Sequence, residues 1–241
     1  MIEAVSNFGP VQGLVFDMGD VLYDATVWRR WLLQLLHRMG LHTQYRTFYK
    51  IWDCDFLADV HCGRREYGEA FQSFLLSAGL SRGQIDEVEA ASQARKRTLE
   101  GNTRPFPGVR GTLERLHNAG MLLAVLSDSE SRAEDLRNRL AHLGIGQYFS
   151  AVVSSIDLER TKPDPACYLA ALGGLGLTAA QAAFVGHDSE ELDGARAVGM
   201  RTLAFNYETG VTADRYLSRF EDLVQLIDRR IVRHPATAGV L

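Results

Sequence analysis

Four short apolar runs in this 241-residue chain each lead into residues able to do chemistry. Gln12-Gly-Leu-Val-Phe16 runs into Asp17, with Met18, Gly19 and Asp20 behind it. Met121-Leu-Leu-Ala-Val-Leu126 runs into Ser127, Asp128 and Ser129. Ala151-Val-Val153 precedes the loop Arg160-Thr-Lys-Pro-Asp164, and Ala182-Ala-Phe-Val185 precedes Gly186-His-Asp-Ser-Glu-Glu191. An acid, a hydroxyl, a lysine and an acid cluster, brought to one edge, would bind phosphate or another anion. A lone Asp17 could be a turn or N-cap residue, or a carboxylate nucleophile that forms an acyl-phosphate. Ser127 could cap a helix or hold a phosphate oxygen through its hydroxyl. Lys162 is one of only three lysines among 26 basic residues. Coding bias toward arginine accounts for most of that imbalance. Where a compact ammonium is required, a planar guanidinium is no substitute.

The elements that must position these residues follow from hydrophobic spacing. From about residue 25 to 103 the period is helical. Trp28, Trp31, Leu32, Leu35 and Leu36 mark one helix, Phe48, Trp52, Phe56 and Leu57 a second, and Phe71, Phe74 and Leu75 a third. A polar fourth helix runs from residue 81 to about 99. The block ends at Arg104-Pro-Phe-Pro-Gly108, which stops any helix. Beyond it, helices near 109–119, 130–143, 165–175 and 192–198 alternate with strands, the last strand at 201–205. A final helix covers about 213–227. Such alternation predicts a doubly wound parallel sheet in an α/β fold, covered on both faces. Ligands of such sheets bind beyond the carboxyl ends of the strands, at the switch in strand order. The predicted organisation is therefore an α/β core of residues 1–24 and 104–241 with an inserted helical block of residues 25–103.

Composition narrows the class of function. Apolar residues make up 46% and charged residues 23%, which is globular rather than disordered. A net charge of −4 gives no footprint for nucleic acid or an anionic membrane. No apolar run is long enough to span a bilayer. The first eleven residues lack the pattern of a secretory signal. Three cysteines, Cys54, Cys62 and Cys167, without a Cys-x-x-Cys pair, read as free thiols of a reducing cytoplasm.

With these motifs the chain, from about Leu14 to Ile227, resembles the haloacid dehalogenase-like superfamily, which is mostly phosphatases. The first motif of that family is a strand followed by Asp-x-Asp-x-(Thr/Val), here Asp17-Met18-Gly19-Asp20-Val21. The resemblance makes Asp17 the nucleophile and a magnesium ligand. The second Asp, a general acid/base that also lends its carbonyl to the metal, is replaced by Gly19; the carbonyl survives and the acid does not. Ser127 matches the second motif, a phosphate contact. Asn is common at the next position, where Asp128 stands as a substrate contact or substitute acid. Lys162, in Lys-Pro-Asp-Pro, matches the third motif and would neutralise nucleophile and phosphate. The fourth motif, Gly-Asp-x-x-x-Asp, is irregular. Alignment on Gly194-Ala195 sets His187 at its first Asp and Glu191 at its second. Asp188 could swing in as ligand, Glu191 could reach the metal, or the site could be rebuilt around His187. Magnesium's preference for oxygen selects Asp188, with Asp17 and the Gly19 carbonyl.

The resemblance thus implies a magnesium-dependent, cytoplasmic hydrolase of a small phosphate monoester, with Gly19's missing acid supplied by Asp20, Asp128, His187 or water. Two other readings are open: a fold that has lost catalysis and serves as a binding or regulatory protein, or a metal-free 2-haloacid dehalogenase. The helical insertion, residues 25–103, resembles the family's small cap domain, and its aromatics are expected in the cap's own core. Asp53, Asp55, His61 and Arg64 are candidate polar contacts there. Asp193 is expected to face solvent, and His37, His42, His117 and His142 have no ligand partners at suitable spacing. The oligomeric state is left open.

Overall fold

A computed structural model describes residues 11–231. The N-terminal segment read as lacking a secretory signal, up to residue 10, lies outside the described residues, as do residues 232–241.

Six parallel strands form one sheet: β1 (Gly13–Phe16), β2 (Leu122–Ser127), β3 (Ala151–Ser154), β4 (Ala182–Gly186), β5 (Arg201–Phe205) and β6 (Arg215–Leu217), in the order β3-β2-β1-β4-β5-β6. The two-residue period decides which side each residue joins. Leu14 and Phe16 of β1 join Leu123 and Val125 in one apolar cluster, while Val15 joins Ala124 and Leu126 in the other. The first cluster is closed by α6 (Val109–Asn118), α7 (Ala133–His142) and α11 (Asp222–Ile231). The second is closed by α9 (Pro165–Leu175) and α10 (Ser189–Ala197). Both faces are thus dry, which is why the strands read as unbroken apolar runs.

Between β1 and α6 stand α1 (Thr26–Arg38), α2 (Tyr45–Ile51), α3 (Ala58–His61), α4 (Tyr67–Ser77) and α5 (Arg82–Asn102). Their aromatic and aliphatic residues form a third cluster, with Trp52, Phe48, Phe71 and Phe74 at its centre. Ser81 and Gln84 form a capping box that starts α5. Trp52–Leu57 is a π-helical turn between α2 and α3, which the helical spacing alone does not reveal.

The final helix departs from expectation. In place of one helix over about 213–227, the chain makes the edge strand β6 and then α11. The Asp214 carboxylate accepts from the Thr202 backbone N–H at 2.8 Å and ties this segment to β5. That long-range pairing overrides the local period. Another short element, α8 (Ser155–Leu158), follows β3 directly. Its first residue joins the inserted helices to the sheet: the Ser155 hydroxyl donates to the His61 carbonyl at 2.8 Å and accepts from the Ser129 N–H at 2.9 Å.

His61 carries a testable consequence of that joint. Burial pushes its pKa from 6.5 to about 4, against the pull of Glu130, whose carboxylate is 3.9 Å from Nε2. The unfolded chain therefore takes up this proton first. Stability should fall as pH drops from 6.5 toward 4, the two pKa values, and level off below. His61→Gln should flatten that part of a denaturant-midpoint profile. An unchanged slope would remove His61 as the cause.

Candidate functional site

Asp17 follows β1 directly and its N–H donates to the Val185 carbonyl at 2.9 Å, so the residue is an extension of the central strand. The register Phe16↔Val125 and Phe16↔Val185 brings the ends of β2 and β4 to either side of it. Asp17 is buried, and so are Ser127, Lys162 and Glu191. Four of the segments singled out in the sequence therefore do meet at the carboxyl edge of the sheet.

Lys162 is the hub. Its Nζ lies 2.5 Å from Asp17 Oδ1 and 2.5 Å from Glu191 Oε1. The loop that carries it is fixed at both ends. The Lys162 N–H donates to Asp128 Oδ1 at 3.1 Å, and Asp164 caps α9 by accepting from the Ala166 N–H at 2.8 Å. Pro165 sits at the first position of α9, where its missing N–H costs nothing. Asp128 thus shapes the lysine loop.

Glu191 is held by α10. Tyr168 Oη donates to the Glu191 carbonyl at 2.8 Å. Gly194, one turn on, lets the lysine loop approach. A Cβ there would stand 2.7 Å from Pro163 Cβ and 2.6 Å from Tyr168 Oη. Gly194→Ala should therefore push the loop off Asp17, lower stability by about 1–3 kcal/mol and reduce turnover. A melting temperature equal to wild type would show that α10 absorbs the methyl group.

Asp188, the expected magnesium ligand, stands at the start of α10. Its Oδ1 accepts from the Glu191 N–H at 2.9 Å and caps α10. The Asp188-x-x-Glu191 spacing is the capping-box pattern, so the signal was present in the sequence. His187 instead faces the centre, with Nδ1 3.7 Å from Asp17 Oδ2 and 3.5 Å from Glu191 Oε2. One ligand atom each from Asp17, His187 and Glu191 lie within 4.8 Å of one another.

The charges are unevenly shared. Burial and the Glu191 charge raise Asp17 above the usual carboxylate range. Burial acts the same way on Glu191, but Lys162 and His187 outweigh it and hold Glu191 low. Burial opposes the Lys162 ammonium, yet Asp17 and Glu191 hold its pKa well up. Burial also opposes the His187 imidazolium, and the carboxylates of Glu191, Asp17 and Asp188 lift it to about 9.

Gly19 lies in a turn closed by the Leu22 N–H donating to the Met18 carbonyl at 3.0 Å, and the Asp20 N–H donates to the Tyr23 carbonyl at 2.8 Å. Asp20 takes φ +56°, a conformation Asp tolerates better than most. Its Oδ1 accepts from the Ala25 N–H at 2.9 Å. In the insertion, Asp53 forms a two-pronged pair with Arg29, at 2.7 and 2.8 Å, and Arg64 pairs with Asp59 at 2.9 Å. Asp193 is exposed and pairs with Arg196.

A doubly wound sheet with an insertion after its first strand, and a carboxylate bound to a buried lysine at its carboxyl edge, defines an α/β class whose ligands sit beyond the ends of the central strands. The sequence profile described as haloacid dehalogenase-like hydrolase matches residues 62–205. The chain belongs to that family. It is 34% identical over 137 residues to a phosphoglycolate phosphatase of Pectobacterium atrosepticum, a match covering 54% of this chain and 58% of that protein. It is 27% identical over 234 residues to the phosphoglycolate phosphatase of Yersinia pseudotuberculosis, covering 92% and 95%. In fold it is similar to the crystal structure of 2-haloacid dehalogenase from Pseudomonas syringae pv. Tomato DC3000. The TM-score is 0.60 and the identity 22%, over 91% of this chain and 99% of that one.

Proposed function

We propose that this protein hydrolyses a small phosphate monoester through an aspartyl-phosphate on Asp17. The observation that carries this reading is the buried contact of Lys162 Nζ with Asp17 Oδ1 at 2.5 Å, at the carboxyl end of the central strand. The phosphoglycolate phosphatases among its relatives support a small phosphorylated acid as substrate.

In this mechanism Lys162 holds the nucleophilic carboxylate in place and favours its ionised form against burial and the Glu191 charge. Ser127 donates to a phosphate oxygen, and Asp128 keeps the lysine loop in register. Asp17 attacks phosphorus, forming the Asp17–phosphorus bond as the ester P–O bond breaks. The leaving oxygen takes a proton from Asp20 or from water, since Gly19 has no acid to give. Water then attacks phosphorus, releasing phosphate and restoring the Asp17 carboxylate. The helical insertion would cover the site and select among substrates. No helix among the described residues is long and apolar enough to cross a membrane, and the free thiols suit a reducing, cytoplasmic setting.

Magnesium, the ion the resemblance implies, does not fit the donors as they stand. An imidazole stands beside Asp17 and Glu191 where the resemblance implies an oxygen ligand, and one oxygen of Asp188 is taken up by the start of α10. No step above uses it.

A panel of phosphate monoesters that includes 2-phosphoglycolate, assayed by phosphate release at high enzyme concentration, tests the reading. Release above background that depends on Asp17 supports it. Phosphate at background throughout would leave a binding protein. Chloride release from 2-haloacids would favour a dehalogenase.

A further inference from the structure

The fourth motif contains a feature that phosphate hydrolysis by Asp17 and Lys162 does not use. Lys162 engages one oxygen of each carboxylate, Asp17 Oδ1 and Glu191 Oε1. The second oxygens, Asp17 Oδ2 and Glu191 Oε2, lie on the side of His187. Both His187 Nδ1 and Glu191 Oε2 are buried atoms that make no hydrogen bond. The charged contacts that face them, 3.5 Å to each other and 3.7 Å from Nδ1 to Asp17 Oδ2, are longer than hydrogen bonds, and few buried polar atoms are left without one in folded proteins. Glu191 is 8% exposed, so solvent does not supply the partner.

We propose that Asp17 Oδ2, His187 Nδ1 and Glu191 Oε2 are the protein ligands of a borderline first-row transition-metal ion such as Fe²⁺, Co²⁺ or Zn²⁺, and not of magnesium. A single cation among these atoms satisfies both orphaned groups at once. The spacing suits it. Two donors each about 2.0 Å from a tetrahedral ion stand roughly 3.3 Å apart. The observed separations from Nδ1 are 3.5 and 3.7 Å, so small side-chain shifts close the site. The donor chemistry selects the ion. Imidazole suits iron, cobalt, nickel, copper and zinc, whereas magnesium demands oxygen and sheds its water reluctantly. Asp188, the neighbouring carboxylate that ligand hardness would choose, uses its Oδ1 to cap α10. The His187 side chain is 23% exposed, which leaves the ion a way in.

The site shares Asp17 with the phosphatase centre and deepens that reading. Ion binding is measured without turnover, so the two ideas fail separately. The tag-free protein is stripped with chelator and dialysed against Co²⁺, Zn²⁺ or Mg²⁺, and bound metal is counted. Co²⁺ samples are read by visible absorption, and circular dichroism confirms the fold of each variant. One Co²⁺ or Zn²⁺ should bind at least about tenfold more tightly than Mg²⁺, with visible bands from the nitrogen ligand. His187→Gln should lose Co²⁺ affinity by more than the roughly 10–100-fold typical of losing an outer partner. His187→Asp, which supplies oxygen in its place, should move the preference toward Mg²⁺. Wild-type protein that binds Mg²⁺ as tightly as Co²⁺, or binds neither, overturns the proposal. So does a His187→Gln variant that retains Co²⁺ affinity and its spectrum.

Discussion

Asp17→Asn should reduce phosphate release to background while the protein remains folded. The amide has the size of the carboxylate but almost none of its nucleophilicity. Removing the nucleophile of a covalent mechanism costs roughly 10⁴-fold or more in turnover. The fold should tolerate the change because the charge balance improves. Lys162 is a single ammonium set between Asp17 and Glu191, both buried. Burial and the Glu191 charge already work against the Asp17 carboxylate. With the amide in place, Lys162 keeps Glu191 as its full counter-ion. The melting temperature should hold or rise. Steady-state turnover and a thermal melt on the same preparation check both halves. Undiminished turnover would sink the covalent route, and a large drop in melting temperature would refute the charge argument.

Lys162→Arg should behave as a loss, although it conserves charge. The ammonium reaches two carboxylate oxygens at 2.5 Å each from one compact atom. The ring of Phe184 lies 5.8 Å away, and Phe184 also packs so closely on Gly186 that a Cβ there would meet it at 2.6 Å. A guanidinium is broader and planar, so it must displace either the ring or the carboxylates. Losing one well-placed electrostatic stabiliser lowers turnover by roughly 10²-fold or more. Full activity in the arginine variant would show that the site needs only positive charge, and the geometric account of Lys162 would fall.

The sheet and the edge it presents were readable because each of the first five strands is a local apolar run with a polar residue at its end. That pattern sets Asp17 and Ser127 at strand ends on the shared carboxyl edge, whereas Lys162, in a loop beyond α8, was singled out by its Lys-Pro-x-Pro setting. What stayed hidden depends on contacts across the chain. β6 has only three residues, two of them at least partly exposed, and owes its position to Asp214 reaching Thr202. The π-helical turn at Trp52–Leu57 keeps the apolar period of a helix while changing its hydrogen bonds. The roles of Asp188 and His187 turned on which of two adjacent side chains faces inward. Hardness of ligand argued for Asp188, whose Oδ1 caps α10, while the imidazole of the adjacent His187 stands beside Asp17 and Glu191.

The central claim is that a phosphoryl group passes through Asp17. A single turnover with excess protein, quenched in acid and read by intact and peptide mass, tests it most directly. The wild type should gain the mass of one phosphoryl group on the peptide that contains Asp17, transiently and before phosphate is released. The Asp17→Asn variant should show none. Phosphate released at the wild-type rate with no adduct on that peptide at any time point would contradict the account.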